Sequence, residues 1–316
     1  MIIQNEEKSL KEVKVSIGLP IYNSEKFIRN KLDSLLEQTF IDFEIIISDN
    51  ASTDLTSKIC EEYAKKDKRI CYFQQNKNMG AWWNYDFVLQ KAKYEYFLWS
   101  AHDDIMLPQF LEENVKILES DRKIACSISE IRLFGKTTDD LEIKPNDSMV
   151  KKKIKKIIKE FGYLNTFPAS GPYEKRVKEY IKNLRHNQIF YGVFRTNQIR
   201  QSFVTDSFLW KEGCIMLNIL KFGELFVVDK VLMNVYDGGM SRRGMLGVTK
   251  QMHYGFVTTL FPMYPFTKWC RKNLGFGIII KNLGFFIKVN CIGEISLFVD
   301  LLRRLGNIIE NEKQME

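Results

Sequence analysis

Short apolar runs alternate with longer amphipathic stretches along residues 14–119. The runs are KVSIGL at 14–19, FEIIIS at 43–48, RICYFQ at 69–74 and YEYFLW at 94–99. Each has the length and continuity of a strand buried on both faces. Between them, apolar residues recur at helical spacing. Residues 24–38 place Phe27, Ile28, Lys31, Leu32, Leu35 and Leu36 near one face, with Ser24 as the expected N-cap. Residues 53–66 align Leu55, Ile59, Cys60 and Tyr63, and residues 81–92 align Trp82, Tyr85, Val88, Leu89 and Ala92. Residues 108–119 open on Pro108, favoured in a first helical turn, and carry Phe110, Leu111, Val115 and Leu118. Strand and helix alternating at this length predict a parallel sheet with right-handed crossovers.

A fifth strand is expected at 123–128, and then the alternation stops. Residues 136–149 have the composition of an exposed loop. Residues 150–160 (VKKKIKKIIKE) put apolar positions on one helical face among lysines, the pattern of a solvated helix. A turn at 167–172, a helix at 173–186 and a strand at 189–194 follow. A helix at 207–222, capped by Gly223, leads to a strand at 225–228. From residue 249 the texture changes, and 261–305 is rich in Phe, Ile, Leu, Lys and Arg. Helices packed on the core, a dimerisation surface and amphipathic segments on a membrane all fit it.

All four early runs end in polar residues. They lead into Pro20, Tyr22 and Asn23; into Asp49, Asn50 and Ser52; into Asn76, Asn78 and Gly80; and into Ala101, His102, Asp103 and Asp104. An open parallel sheet binds ligands at the carboxyl ends of its strands. An acidic pair at such an end has two natural partners, a hard divalent cation and the phosphate it neutralises. Capping of the helix after Pro108 is the plainer role for the same carboxylates.

The 316 residues suffice for one large domain or two tightly joined ones, with a sizeable core. The net charge of +8 favours acidic partners. No nucleic-acid module organises that charge, so nucleic acid is not an expected partner. Six cysteines and three histidines are scattered without metal-ligand spacing, which argues against a zinc framework and for a reduced, cytoplasmic protein. The charged N-terminus lacks a signal peptide's apolar stretch, and no ordinary transmembrane run is expected.

The first half resembles the family 2 glycosyltransferases of the GT-A fold. The resemblance rests on Pro20-Ile21-Tyr22-Asn23, Gln38-Thr39-Phe40, Asp49-Asn50-Ala51-Ser52-Thr53-Asp54, Asn76-Lys77-Asn78-Met79-Gly80 and Asp103-Asp104, and on the spacing between them. A second stretch of similarity spans 190–241, from Tyr191-Gly192-Val193-Phe194-Arg195 through Gly223 and Val231-Leu232 to Met240-Ser241. The resemblance implies an α/β fold, the Rossmann-like mixed sheet of nucleotide-diphospho-sugar transferases, flanked by helices and followed by a helical C-terminal extension. It divides the chain into a tail at 1–12, a nucleotide-sugar-binding half at 13–125, an acceptor-binding half at 126–245 and the extension at 246–316.

The implied activity is inverting transfer of a sugar from a nucleotide-diphosphate sugar to a hydroxyl of a glycan or lipid-linked glycan, with Mn²⁺ or Mg²⁺. Pro20, Tyr22, Asn23 and Asp49 match positions that hold the base. Asn78, Gly80 and Asn84 match the loop and helix start that approach the nucleotide. Asp103 is expected near the ribose or metal, and Asp104 as a metal ligand. Counting eleven residues back from Gly223 puts Glu212 at the position of the catalytic base, with Asp206 as its competitor. The chain departs from the pattern at Ala101, where an acidic residue is usual, at Trp82-Trp83, where a basic residue is usual, and at Glu212, where aspartate is usual. These departures keep open a catalytically weak nucleotide-sugar-binding protein. A cytoplasmic location, peripheral contact with the inner membrane face through the C-terminal region, and a homodimer complete the expectations.

Overall fold

The computed structural model describes residues 14–135, 145, 147–149, 152, 166–184, 188–236, 247, 249 and 255–313, with side chains up to residue 302. The lysine-rich stretch at 150–160 apart from Lys152, most of the 136–149 loop, and Met240-Ser241 lie outside the described residues.

Strands β1 (Val15–Ile21), β2 (Phe43–Asp49), β3 (Ile70–Gln74) and β4 (Tyr96–Trp99) form the parallel half of the sheet, in the order β3-β2-β1-β4. β1, β2 and β4 are buried at every position, with Ser16 and Glu44 inside them paired through a 2.7 Å hydrogen bond, whereas the edge strand β3 is only partly buried. Helices α1 (Ile28–Leu36), α2 (Thr56–Lys66) and α3 (Ala81–Lys91) are the crossovers, and α4 (Phe110–Ser120) follows β4. All strands in this half point the same way, so their polar termini gather at one edge.

The second half makes the sheet mixed. β5 (Ile105–Met106), β6 (Ile124–Phe134), β7 (Val193–Arg195) and β8 (Glu224–Tyr236) extend it to eight strands, ordered β3-β2-β1-β4-β7-β6-β8-β5. β7 is antiparallel to both β4 and β6, β6 and β8 are parallel, and β5 is antiparallel to β8. Helices α5 (Tyr173–Asn183), α6 (Thr196–Ser202) and α7 (Lys211–Ile219) cover this half.

Several expected boundaries change. Phe27, not Ser24, occupies the N-cap position of α1, and the buried Ser24 hydroxyl has no hydrogen-bond partner. Pro108 precedes α4, where its carbonyl accepts the Thr39 N–H. The expected strand at 189–194 is a 3₁₀ turn over Gln188–Tyr191 followed by the three-residue β7. Gly192 separates them, and a Cβ there would meet Cys126 Sγ at 2.7 Å. α7 ends at Ile219, so Gly223 is not its cap. Gly223 is required because a side chain would meet the Lys123 carbonyl at 2.2 Å as the chain enters β8.

The C-terminal extension comprises α8 (Phe256–Leu260), α9 (Tyr264–Leu274), α10 (Phe276–Lys281) and α11 (Leu283–Lys313). Phe266, Cys270, Phe286 and Val289 are buried in the common core, and Phe266 meets Trp210 edge-on at 5.5 Å. The opposite face of α11 leaves Ile287, Ile295, Phe298 and Leu302 exposed. Among the described residues no helix is long and apolar enough to cross a membrane.

Candidate active site

The loops after β1 and β2 are tied to each other. Asn23 donates its N–H to Ser52 Oγ at 2.9 Å and accepts the Thr53 N–H on Oδ1 at 2.8 Å. Ser24 N–H reaches Thr56 Oγ1 at 2.7 Å. Asn23 and Ala51 hold positive φ values of 49° and 62°, an uncommon conformation for residues with a side chain. Pro20 lies within β1, and Tyr22 stands 45% exposed beside the loop pair.

Asp49 ends β2 and is fully buried. Its Oδ1 accepts the Ser52 N–H at 2.9 Å, and its Oδ2 accepts Ser57 Oγ at 2.7 Å and the Tyr72 hydroxyl at 3.0 Å. The carboxylate thus braces the β2 loop. Asn50 fixes the next loop by accepting the Met79 N–H at 2.9 Å and donating to Asn78 Oδ1 at 3.0 Å. Asn78 Oδ1 also accepts the Gly80 N–H at 2.8 Å. Gly80 opens α3 with φ 88° and ψ 157°, a region essentially restricted to glycine. Asn84 donates to the carbonyls of Ser48 and Ile21 at 2.8 and 3.3 Å, and its buried Oδ1 lacks a partner.

The carboxylate pair lies beyond β4. Asp104 is buried and accepts the Tyr236 N–H on Oδ1 at 2.9 Å. The short β5 makes that contact possible, because Ile105 pairs with Asn234 and draws Asp104 against the end of β8. Lys31, also fully buried, donates to the Asp104 carbonyl oxygen at 2.9 Å. Burial, then the Asp103 charge, pushes the Asp104 carboxyl up to about 7 despite Lys31 and the Tyr236 N–H. Burial likewise lowers the Lys31 ammonium to about 8, opposed by both aspartates. Asp103 is half-buried and, among the described residues, has no hydrogen bond or ion pair to its carboxylate. Burial lowers the His102 pKa and keeps the ring neutral, with Phe27 at 5.8 Å.

In the second half of the chain, α7 carries Glu212 in its first turn. Trp210, at the helix N-cap position, has φ 63°, so the chain reaches Glu212 through another strained position. Burial raises the Glu212 pKa, and its own N–H and Lys211 oppose the shift. Lys211 is buried with its ammonium 4.8 Å from the Trp82 ring and 4.7 Å from the Phe203 ring, and burial lowers it to about 8. Asp206 is exposed in the preceding loop.

Two tyrosines join the two sides. The hydroxyls of Tyr85, on α3, and Tyr191, at the end of the 3₁₀ turn, lie 3.4 Å apart. Burial pushes the Tyr85 phenol up to about 12, and the charges of Asp103, Asp104 and Glu212 add to the shift. The first two also act on Tyr191. The charges of the strand-end carboxylates and of Glu212 therefore all reach Tyr85. A separate shallow cavity of about 350 Å³ between α1 and α2, lined by Arg29, Lys58 and Glu62 among others, contains none of these carboxylates.

Among the described residues no three His, Cys, Asp or Glu side chains converge as a ready metal site. The donor set still suits a hard cation. Two adjacent carboxylates lie together, with the Asp103 oxygens and Asp104 Oδ2 free of protein donors among the described residues.

An eight-stranded mixed sheet with its polar loops at one edge is the architecture of a GT-A glycosyltransferase. A computed match to the model "Glycosyl transferase family 2" spans residues 16–200, and the chain belongs to that family. It is 34% identical over 143 residues to an uncharacterized glycosyltransferase of Rickettsia typhi, covering 44% of this chain and 43% of the relative. It is 33% identical over 168 residues to one of Methanocaldococcus jannaschii, covering 52% and 57%. The chain thus spans about half the length of the curated relatives it matches. Two solved structures share the fold. The mannosyltransferase PcManGT of Pyrobaculum calidifontis, in complex with GDP-Man and Mn²⁺, superposes with a TM-score of 0.55 at 15% identity, covering 93% of this chain and 75% of that one. S. aureus TarS 1–349, in complex with UDP-GlcNAc, gives 0.54 at 18%, covering 83% and 73%.

Asn23, Asp49, Asn78, Asp103 and Asp104 lie at or just after strand ends, and Gly80 and Asn84 lie at the start of α3, as the sequence predicts. Sequence reasoning did not single out Lys31, Lys211, Tyr85 or Tyr191. The available signal for Lys31 was a lysine on an otherwise apolar helical stripe.

Proposed function

We propose that the chain is an inverting glycosyltransferase that binds a nucleotide-diphosphate sugar at the ends of β1–β4 and transfers the sugar to a hydroxyl acceptor entering from α7. One observation carries this reading. Asp103 and Asp104 follow β4 at the polar edge of the sheet, and Tyr85, whose carbonyl accepts the indole N–H of Trp99 at the end of that strand, feels their charges and that of Glu212.

The base and ribose rest on Pro20, Tyr22, Asn23 and Asp49. Asn78, Gly80 and Asn84 shape the adjoining loop. Asp104 and Asp103 would hold Mn²⁺ or Mg²⁺. When bound, that cation supplies Lewis-acid neutralisation of the diphosphate. The free oxygens of the pair and the complexes of PcManGT with GDP-Man and Mn²⁺ and of TarS with UDP-GlcNAc support this donor class.

Glu212 takes the proton of the attacking hydroxyl as general base. Burial raises its proton affinity above the ordinary carboxylate value, and its own N–H and the Lys211 charge oppose that rise. Attack from the α7 side, opposite the diphosphate, inverts the anomeric carbon. Asp206, exposed and one loop away, is the lesser candidate. The acceptor is a glycan or lipid-linked glycan, and the exposed apolar face of α11 supports peripheral docking at the inner face of a membrane or, failing that, a homodimer. Six free cysteines fit the reduced cytoplasm.

Ala101 and the use of glutamate at 212 favour a second reading, a nucleotide-sugar-binding protein with little turnover. Thermal shift against a panel of nucleotide-sugars with and without Mn²⁺, followed by a transfer assay, tests both. Binding with transfer supports the enzyme, binding without transfer supports the second reading, and no binding rejects both.

A further inference from the structure

We propose that the Tyr85–Tyr191 hydroxyl pair is the element that recognises the transferred sugar, by hydrogen-bonding one of its hydroxyl groups. The inference rests on the donor site proposed above and names a pair of specificity-determining residues within it.

The two hydroxyls lie 3.4 Å apart, and among the described residues neither makes another hydrogen bond. Each phenol can donate once and also accept. One O–H donates to the other oxygen, so the second O–H has no protein acceptor. Both residues are half-buried, so each keeps part of its surface accessible. A sugar hydroxyl is the complement: it accepts the spare O–H and returns its own proton to a phenol oxygen.

The rings are held in place by packing. Trp99 stacks on Phe190 with centroids 4.4 Å apart, and Phe190 meets Tyr85 at 5.9 Å and Tyr191 at 5.5 Å. The Trp99 indole N–H donates to the Tyr85 carbonyl oxygen at 2.9 Å. A rigid aromatic frame orders two hydroxyls before the ligand arrives, which lowers the entropic cost of using them. Their position is the second reason. One tyrosine comes from the donor-side helix α3, and the other from the turn that leads into β7. β7 runs antiparallel to β4, so the turn that holds Tyr191 lies at the carboxyl end of β4, and the Trp99 hydrogen bond holds Tyr85 at the same end, just before Asp103 and Asp104. The group next to the diphosphate in a donor bound there is the sugar. A site built to hydrogen-bond a substrate hydroxyl rejects analogues lacking it, because its own polar groups are then left unpaired.

Tyr85→Phe and Tyr191→Phe keep the rings and remove one hydroxyl each. Calorimetry on the full chain would compare a nucleoside diphosphate with its sugar conjugate, choosing whichever conjugate binds wild type. In each variant the nucleoside diphosphate should bind within twofold of wild type, while the conjugate weakens roughly three- to tenfold. Against a series of deoxy-sugar conjugates, wild type should reject one member that the variants accept as well as the parent. Equal losses for nucleotide and conjugate, or unchanged binding of both, would overturn the inference and leave the donor site standing. If no conjugate binds wild type, the donor site itself falls and the inference with it.

Discussion

The Lys31 ammonium lies 2.9 Å from the main-chain carbonyl oxygen of Asp104, and both residues are buried. A fully buried cation thus stands behind the carboxylate pair and offsets part of its charge. Lys31→Met is expected to lower stability by about 1–3 kcal/mol, because the Asp104 carbonyl loses its donor. Removing the positive charge also raises the Asp104 pKa further. Urea unfolding checks the first effect, and carboxyl titration by NMR checks the second.

Asp104 gives the metal-free protein a defined pH dependence. Its folded pKa of about 7 lies above the ordinary carboxylate value. A raised folded pKa means that the contribution is full below the unfolded value and lost as pH rises through the folded value. Between about pH 4 and 7, wild type should therefore lose stability relative to Asp104→Asn. Melting temperatures of the two proteins across that range, with chelator present, should diverge as pH rises. Parallel curves would contradict the assignment.

Asp49 accepts three hydrogen bonds from its own loop and neighbours. Asp49→Ala leaves those donors without their acceptor, so unfolding free energy should fall by about 1–3 kcal/mol. Nucleoside diphosphate binding should weaken by about 1.5–3 kcal/mol, since both the loop and a charge-assisted contact are lost. Denaturation with calorimetry separates the two effects. Loss of stability with unchanged affinity would make Asp49 a loop brace alone.

These carboxylates were legible in the sequence for a physical reason. Parallel strands buried on both faces must be continuously apolar, so the first polar residue after each run marks the ligand-binding edge. β1, β2 and β4 are buried at every position, and two polar residues inside them, Ser16 and Glu44, bond to each other. β5 was not legible, since two residues carry no periodic signal, yet its pairing with β8 is what brings Asp104 to the Tyr236 N–H. The Tyr85–Tyr191 contact joins residues 106 positions apart, and Tyr85 sits on a stripe that otherwise reads as core. Lys31 shares the apolar face of α1, but hydropathy cannot show that a carbonyl waits at the buried end of its side chain.

Glu212→Gln should reduce kcat by about 10²–10⁴-fold, the usual contribution of a general base, and leave donor affinity nearly intact. Asp206→Asn should cost much less. The base acts when deprotonated, so the rate should rise with pH through the Glu212 pKa. Lys211→Met removes a charge that lowers that pKa and should move the acid limb of the kcat profile to higher pH. An unmoved limb, or a larger loss in Asp206→Asn, would shift the base away from Glu212.

The outer face of α11 and its neighbours exposes Phe276, Ile287, Ile295, Phe298 and Leu302 in a region that also carries Lys268, Arg271, Lys272 and Lys288. The full chain should float with anionic liposomes at low salt and release as salt rises. Protein that stays at the bottom, yet dimerises with concentration in sedimentation, would assign the face to a second copy.

Calorimetric titration of the full chain with a panel of nucleotide-diphosphate sugars, in Mn²⁺ and in chelator, tests the proposed donor site at Asp103 and Asp104 most directly. At least one conjugate should bind wild type and Glu212→Gln with similar affinity in Mn²⁺ and should lose that affinity in chelator and in Asp104→Asn. Failure of every conjugate to bind, or equal binding by wild type and Asp104→Asn, would contradict a metal-assisted nucleotide-sugar site at the strand ends.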